Sequence, residues 1–191
     1  CPAKDLKAAR FAKGLLAPKG KMYYLTHVPE ILDYPTAAVK GIQGVCHVML
    51  KVPVAFLGVR GIRFLAGRME RWPETLGEHK AILYLAQVVR MLEEIGTGGA
   101  GFRFMYAAFL QETAALLKED RLLGISQRLT DVGDQWRAFA SQGARHCKGR
   151  TKEGDSFPAM AALMRDCARQ EGEIYMELTG IAARHARRLG G

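Results

Sequence analysis

The segment Ile95–Tyr106, IGTGGAGFRFMY, is where residue types and spacing come closest to chemistry. Three of the four residues from Gly98 to Gly101 are glycine, and the pattern that follows predicts a helix. Bare backbone N–H groups at a helix start favour an anion such as a phosphate or a carboxylate. Arg103, one turn in, adds a guanidinium able to clamp that anion in bidentate fashion. No Lys-Ser/Thr pair follows, so the segment is not a P-loop, and no strand precedes it, so it is not a dinucleotide fingerprint. The same glycines suit a tight corner between two helices, where they admit φ > 0 and close packing. Both readings stand at this point. Glu171 lies in the middle of an apolar stripe, beside a glycine that lets another backbone approach. A buried carboxylate needs a partner. The options are an arginine on a neighbouring helix, a rotation that carries Gln170 and Glu171 to solvent, or a substrate amine for which Glu171 is ligand or general base. Thr97, Gly98, Gly99, Gly101, Arg103, Tyr106 and Glu171 are therefore the candidate substrate-binding residues.

The remaining reactive side chains carry less. His27, His47, His79, His146 and His185 show no HxxxH spacing, and the neighbours His146 and Cys147 do not define a zinc site, so neither metal nor cofactor is expected. Asp134 and Arg137, one turn apart around Trp136, are expected to form a helix-surface ion pair. An N-terminal cysteine such as Cys1 can serve a self-processed hydrolase as nucleophile, with its own amine as base. Such folds follow the nucleophile with a strand, whereas Pro2-Ala3-Lys4-Asp5-Leu6 opens a helix. No catalytic residue is assigned.

The elements that must position these residues are helical. Residues 3–13 read as a short helix closed by Gly14, followed by a Pro/Gly/Lys connector. Met22–Val28, MYYLTHV, is the one strand-like stretch, and a single strand makes no sheet, so it pairs elsewhere or is an extended arm. From Pro35 the period becomes helical. The stripes are Val39, Ile42, Cys46 and Met49; Ile62, Leu65, Met69 and Trp72, stopped by Pro73; and Ile82, Ala86, Val89 and Leu92, closed by Gly96. After the glycines come Phe102, Met105, Phe109, Thr113 and Leu116. Two long stripes follow, one from Leu122 to Phe139 and one from Met160 to Ile181, separated by the polar loop 143–156. About three-quarters of the chain reads as helix against a usual third. The predicted fold is all-α, a bundle-like domain of six to seven helices over 35–191, preceded by an entry of 1–34 made of a short helix and an extended strand or arm.

Composition sets the outer bounds. The 191 residues are 49% hydrophobic and 25% charged, which excludes a disordered chain, and no apolar run reaches the roughly 18 residues of a membrane span. Four scattered cysteines without a CxxC pair fit a reducing, cytoplasmic compartment. With no initiator methionine and no leader pattern, residue 1 is not expected to be where the gene starts. The net charge of +9 is uneven: residues 1–75 hold 12 basic and 5 acidic groups, whereas 76–140 hold 7 and 8. That field attracts acidic partners, although a solvated basic surface without a dedicated partner is the simpler explanation. Aromatics are not interleaved with the basic residues, so a nucleic-acid platform is not expected.

Several motifs then fall in order along the chain: FLGVRGIR at 56–63, Trp72-Pro73, IGTGGAGFRFMYAAFL at 95–110 and VGDQWR at 132–137. Together with the opening AKDLKAARFAKG they resemble the C-terminal helical domain of the BtrH-type family, named for the butirosin biosynthesis acyltransferase. The resemblance implies a two-part enzyme of secondary metabolism, in antibiotic biosynthesis. A thiol domain on the N-terminal side supplies the catalytic groups, and an acyl group moves from an acyl carrier protein to an aminoglycoside-like amine. That thiol domain is not in this chain, so no catalytic residue carries over, and Cys1 does not fall in the family's nucleophile motif. The implied role here is to shape the substrate cleft, with the 97–103 loop near the carrier's phosphopantetheine or the acceptor and the basic first third attracting an acidic carrier. The alternatives are a non-catalytic helical interaction module, which leaves homo-oligomerisation open, and an N-terminal-cysteine hydrolase chain.

Overall fold

The computed structural model describes residues 2–14, 17, 23–27 and 33–189. It is all-α: 77% helical, with eight α-helices and no strand among the described residues. The chain divides into two units, residues 1–32 and 33–191. The first holds α1 (Ala3–Arg10), a single amphipathic segment. The strand-like stretch has no ladder: Tyr23–His27 is irregular backbone, with Tyr23, Tyr24 and Leu25 exposed. Its β-branched and aromatic residues favour a pleated, half-buried surface, and a lone segment has no neighbouring strand to provide one. Met22 and Val28, at its two ends, and Cys1 lie outside the described residues.

The second unit contains α2 (Tyr34–Leu50), α3 (Gly58–Met69), α4 (Trp72–Leu76), α5 (Glu78–Glu93), α6 (Arg103–Leu117), α7 (Arg121–Cys147) and α8 (Phe157–Leu189), with a 3-10 turn at Ala100–Phe102. Asp33 caps α2, its carboxylate accepting the Thr36 N–H at 3.0 Å. Pro73 does not simply stop α3. It sits in the first turn of the five-residue α4, where its missing N–H costs nothing, and so adds a helix the period alone did not predict.

The two longest helices form the centre. Leu122, Ile125, Leu129, Val132, Trp136 and Phe139 of α7 are all buried, as are Met160, Met164, Cys167, Ile174, Leu178 and Ile181 of α8. Around them α2 and α3 pack on α8, and α5 and α6 pack on α7. On α5 and α6 the expected stripes hold in part: Thr113 is buried and Val89, Leu92 and Phe109 pack against the core, while other stripe residues turn outward. Ala81 and Leu85 of α5, and Ala107, Leu110, Thr113 and Ala114 of α6, face the core. Ala86, Phe102, Met105 and Leu116 are exposed. Small residues win these contacts because they let the backbones approach: the Ser126 hydroxyl donates to the Ala107 carbonyl at 2.8 Å, and a Cβ on Gly133 would stand 2.7 Å from the Phe104 ring. Asp134 and Arg137 do not pair as expected. Both are exposed on α7 and no ion pair joins them, since one turn of separation permits contact without compelling it in water.

Two carboxylates fasten the helix ends. Glu119, between α6 and α7, accepts Nε and Nη2 of Arg121 at 2.6 and 2.7 Å and faces His185 Nε2 of α8 at 3.2 Å. Asp155, between α7 and α8, accepts Nε and Nη2 of Arg145 at 2.7 and 2.5 Å and the Lys152 N–H at 2.9 Å. These donors hold Glu119 down to about 2 from 4.5 and Asp155 down to about 2 from 3.8. A carboxyl whose folded pKa lies below its unfolded value stabilises the fold above the unfolded pKa and stops doing so as pH falls through the folded one. Stability in urea is therefore expected to fall from about pH 4.5 towards pH 2. The pair of substitutions Glu119→Gln and Asp155→Asn is expected to flatten that slope, and an unchanged slope in the double variant would exclude these two groups as its source.

Candidate functional site

A cleft of about 490 Å³ opens on the second unit. One wall is the α2–α3 corner and α3 itself, contributing Phe56, Gly61, Ile62, Phe64 and Leu65. The facing wall is the last turns of α5, with Val88, Met91 and Leu92. Thr97, Gly101 and Phe102 close one side, and Arg103, Trp136 of α7 and Met164 of α8 also line it. The wall helices show why the sequence folds this way. Gly61 lets α3 lie on the backbone of Phe56, where a Cβ would come within 2.5 Å. On α3, Ile62 and Leu65 repeat at helical spacing yet are only half-buried, because they face the cleft.

The glycine segment is a left-handed run of five residues. Gly98, Gly99, Ala100, Gly101 and Phe102 have φ of 69°, 86°, 50°, 57° and 71°. A Cβ in this region costs roughly 1–2 kcal/mol per residue, which accounts for glycine at three of the five positions. Ala100 and Phe102 carry the strain, and internal bonds fix Ala100 and the start of the turn. The Ala100 N–H donates to Oε1 of Glu93 at 3.1 Å, and the Thr97 hydroxyl donates to the Leu92 carbonyl at 2.6 Å, satisfying an end carbonyl of α5. The carboxylate that meets a loop N–H is thus the protein's own Glu93.

Arg103 and Glu171 meet. Nε and Nη2 of Arg103 donate to Oε1 and Oε2 of Glu171 at 2.9 and 3.1 Å, in the bidentate geometry of the strongest ion pairs. Trp136 Nε1 donates to the same Oε1 at 2.7 Å, and the guanidinium carbon lies 4.8 Å from the centre of the Trp136 ring. Nη1 of Arg103 turns back to the carbonyls of Ala100 and Gly101 at 3.3 and 3.2 Å. A Cβ on Gly101 would stand 2.6 Å from that Nη1, so the turn and the ion pair fit only together. Glu171 is fully buried. Burial, with the Glu171 charge adding to it, pushes the Cys167 thiol up to about 12 and raises the Tyr175 hydroxyl well above its ordinary value. Burial also raises the Cys46 and Cys147 thiols. All three described cysteines are therefore protonated at neutral pH, the state in which a thiol is a poor nucleophile.

Of the seven residues singled out from the sequence, Thr97, Gly101 and Arg103 line the cleft. Glu171 lies behind its wall as the partner of Arg103. Gly98 and Gly99 shape the turn without facing the cleft. Tyr106 stacks on Phe109, ring centres 5.6 Å apart, and its buried hydroxyl has no hydrogen-bond partner. Trp136, Phe56, Phe64, Val88, Met91 and Phe102 line the cleft without having been singled out as a site. The available signal was an excess of large apolar residues on α3 and α5 beyond what one buried stripe requires. No group of three candidate metal ligands occurs among the described residues, and none of their helices is long and apolar enough to cross a membrane.

Residues 4–178 match the model of a family described as a domain of unknown function, DUF4872, and the chain belongs to that family. No curated protein and no solved structure matches it.

Proposed function

We propose that this DUF4872 domain is the helical, substrate-shaping part of a thiol-dependent N-acyltransferase. It works in cytoplasmic secondary metabolism, antibiotic biosynthesis included, and moves an acyl group from an acidic acyl carrier protein to an amine such as an aminoglycoside. The observation that carries the reading is a ligand-sized apolar cleft with no thiol in its wall, bordered by a strained turn and a buried ion pair. Strained backbone persists where surrounding structure over-determines it, commonly at ligand sites. The motif resemblance supplies the complementary half: a thiol domain that attacks the carrier thioester, releases the carrier thiol and passes the acyl group to the amine, which gives up a proton. Arg60 and Arg63, exposed on the cleft-forming α3, are the cations for an acidic carrier to meet.

The test uses the native polypeptide that carries this domain, with an acylated carrier and an amine. Arg60→Glu together with Arg63→Glu is expected to raise KM for the carrier about tenfold at low salt, the difference vanishing at high salt, with kcat unchanged. Equal KM values across ionic strength would remove the docking role. Turnover of a thioester by residues 1–191 alone would remove the two-part reading. A non-catalytic interaction module is the second reading, favoured by the exposed Phe56, Phe64 and Phe102 at the cleft mouth. It predicts stable complex formation with no amide product.

A further inference from the structure

Every polar side chain in the wall of the cleft is already engaged inside the protein. The Thr97 hydroxyl is given to Leu92, Trp136 Nε1 to Glu171, and Arg103 divides its donors between Glu171 and two turn carbonyls. An amine, sugar or phosphate entering here would shed water and find the side-chain donors of the wall already committed, at roughly 1–3 kcal/mol for each group left unpaired. A hydrocarbon meets no such cost and gains by leaving water. The mouth is hydrocarbon too: Phe56 is 71% exposed, Phe64 51%, Met91 56% and Phe102 53%. Large apolar side chains left this wet around one concavity mark a binding surface, and unbranched Met91 and Met164 adapt to differing chain shapes. The volume of about 490 Å³ falls within the roughly 300–1,000 Å³ of small-molecule sites.

Among the exposed arginines of α3, Arg68 shares the helix face that lines the cleft. Arg68 lies seven residues beyond Gly61 on α3, hence on the same helix face as Gly61, Phe64 and Leu65. It is exposed and joins no ion pair among the described residues. An apolar trough with an uncommitted cation one turn beyond its Leu65 wall is complementary to an apolar chain with an anionic end.

We infer that the cleft takes the hydrocarbon chain of an acyl group, with the anionic part of its donor lying towards Arg68. The word donor rests on the acyltransferase reading; the chain-binding site does not. In this assignment the polar amine acceptor stays outside the cleft.

The experiment titrates purified residues 1–191 with decanoyl-coenzyme A, coenzyme A and decanoate, followed by calorimetry and by the change in tryptophan fluorescence, to which Trp136 in the wall contributes. Decanoyl-coenzyme A is expected to bind at least about tenfold tighter than coenzyme A, the difference being the chain. Val88→Trp, which fills the trough from a half-buried position packed against the core, is expected to remove about that factor, and its urea midpoint separates lost binding from disturbed packing. Phe64→Ser, at the half-exposed mouth, weakens binding in the same direction without touching the core. Arg68→Glu is expected to weaken all three anionic ligands several-fold at low salt and to leave neutral decanol unaffected. Equal affinities for coenzyme A and its decanoyl ester would overturn the inference, as would full affinity in Val88→Trp. Binding of decanoate with none of decanoyl-coenzyme A would overturn the donor assignment. Absence of carrier-dependent transfer by the native polypeptide, with chain binding intact, would remove the acyltransferase reading alone, so the two ideas fail separately.

Discussion

Glu171→Ala is expected to cost about 3–5 kcal/mol, the usual consequence of removing one partner of a buried ion pair. The substitution strips acceptors from Nε and Nη2 of Arg103 and from Nε1 of Trp136 at once. The guanidinium cannot swing to water without abandoning the carbonyls of Ala100 and Gly101, so the left-handed turn loses its brace in the same step. The loss should appear as a lower urea midpoint at unchanged slope. Arg103→Met combined with Glu171→Gln removes both charges and keeps an acceptor for Trp136. It is therefore expected to be more stable than either single charge deletion, because a neutral pair leaves no buried charge uncompensated. If Glu171→Ala moved stability by less than about 1 kcal/mol, the pair would be ornamental and Glu171 free for ligand chemistry. As it stands, the three bonds Glu171 accepts make it a positioning residue for the Arg103 side of the cleft.

Gly58→Ala is the second large effect, and it acts on the opposite wall. Gly58 opens α3 at φ 59°, and a Cβ there would come 2.4 Å from the Met49 carbonyl oxygen and 2.8 Å from that of Val48. Both obstacles are backbone at the end of α2, so no rotamer change relieves them. The left-handed conformation adds about 1–2 kcal/mol and the overlap about 1–3 kcal/mol, for a loss of about 2–5 kcal/mol. Gly67 in the same helix is the control. A Cβ there meets nothing within 4 Å, so Gly67→Ala is expected to gain about 0.5–1 kcal/mol from helix propensity. Thermal unfolding of the two variants side by side checks the pair of signs. Equal small changes in both would mean that the α2–α3 corner relaxes freely and does not fix the cleft wall.

The helices of the centre were legible because α7 and α8 each bury one continuous face. Leu122 to Phe139 and Met160 to Ile181 repeat at three and four, and both stripes lie in the core. On α5 and α6 period and packing diverge. Ala86, Met105 and Leu116 were phased inward and are exposed, while Ala81, Ala107 and Ala114 make the contacts. A periodicity argument ranks residues by apolar size, whereas the closest helix contacts select small ones. On α3 and α5 a second apolar face serves the cleft, so one stripe was being read where two exist. The strand-like 22–28 misled for a related reason: propensity describes a fit to a sheet, and among the described residues there is no sheet to fit.

The site divides along the same line. Residue types alone showed that Gly98 to Gly101 must permit unusual backbone and that Glu171, set in an apolar stripe, must have a partner. These are local demands, imposed by the Cβ and by the cost of burying charge, and no neighbour has to be known to state them. Which partner answered them was a matter of tertiary structure. Arg103 and Glu171 stand 68 residues apart, and the anion that meets the loop N–H is Glu93 of the preceding helix. The cleft is likewise assembled from residues between 56 and 164, none of which announces a cavity by itself. A concave surface exists only where separate helices fail to touch, and that is a property of their packing, not of any segment's sequence.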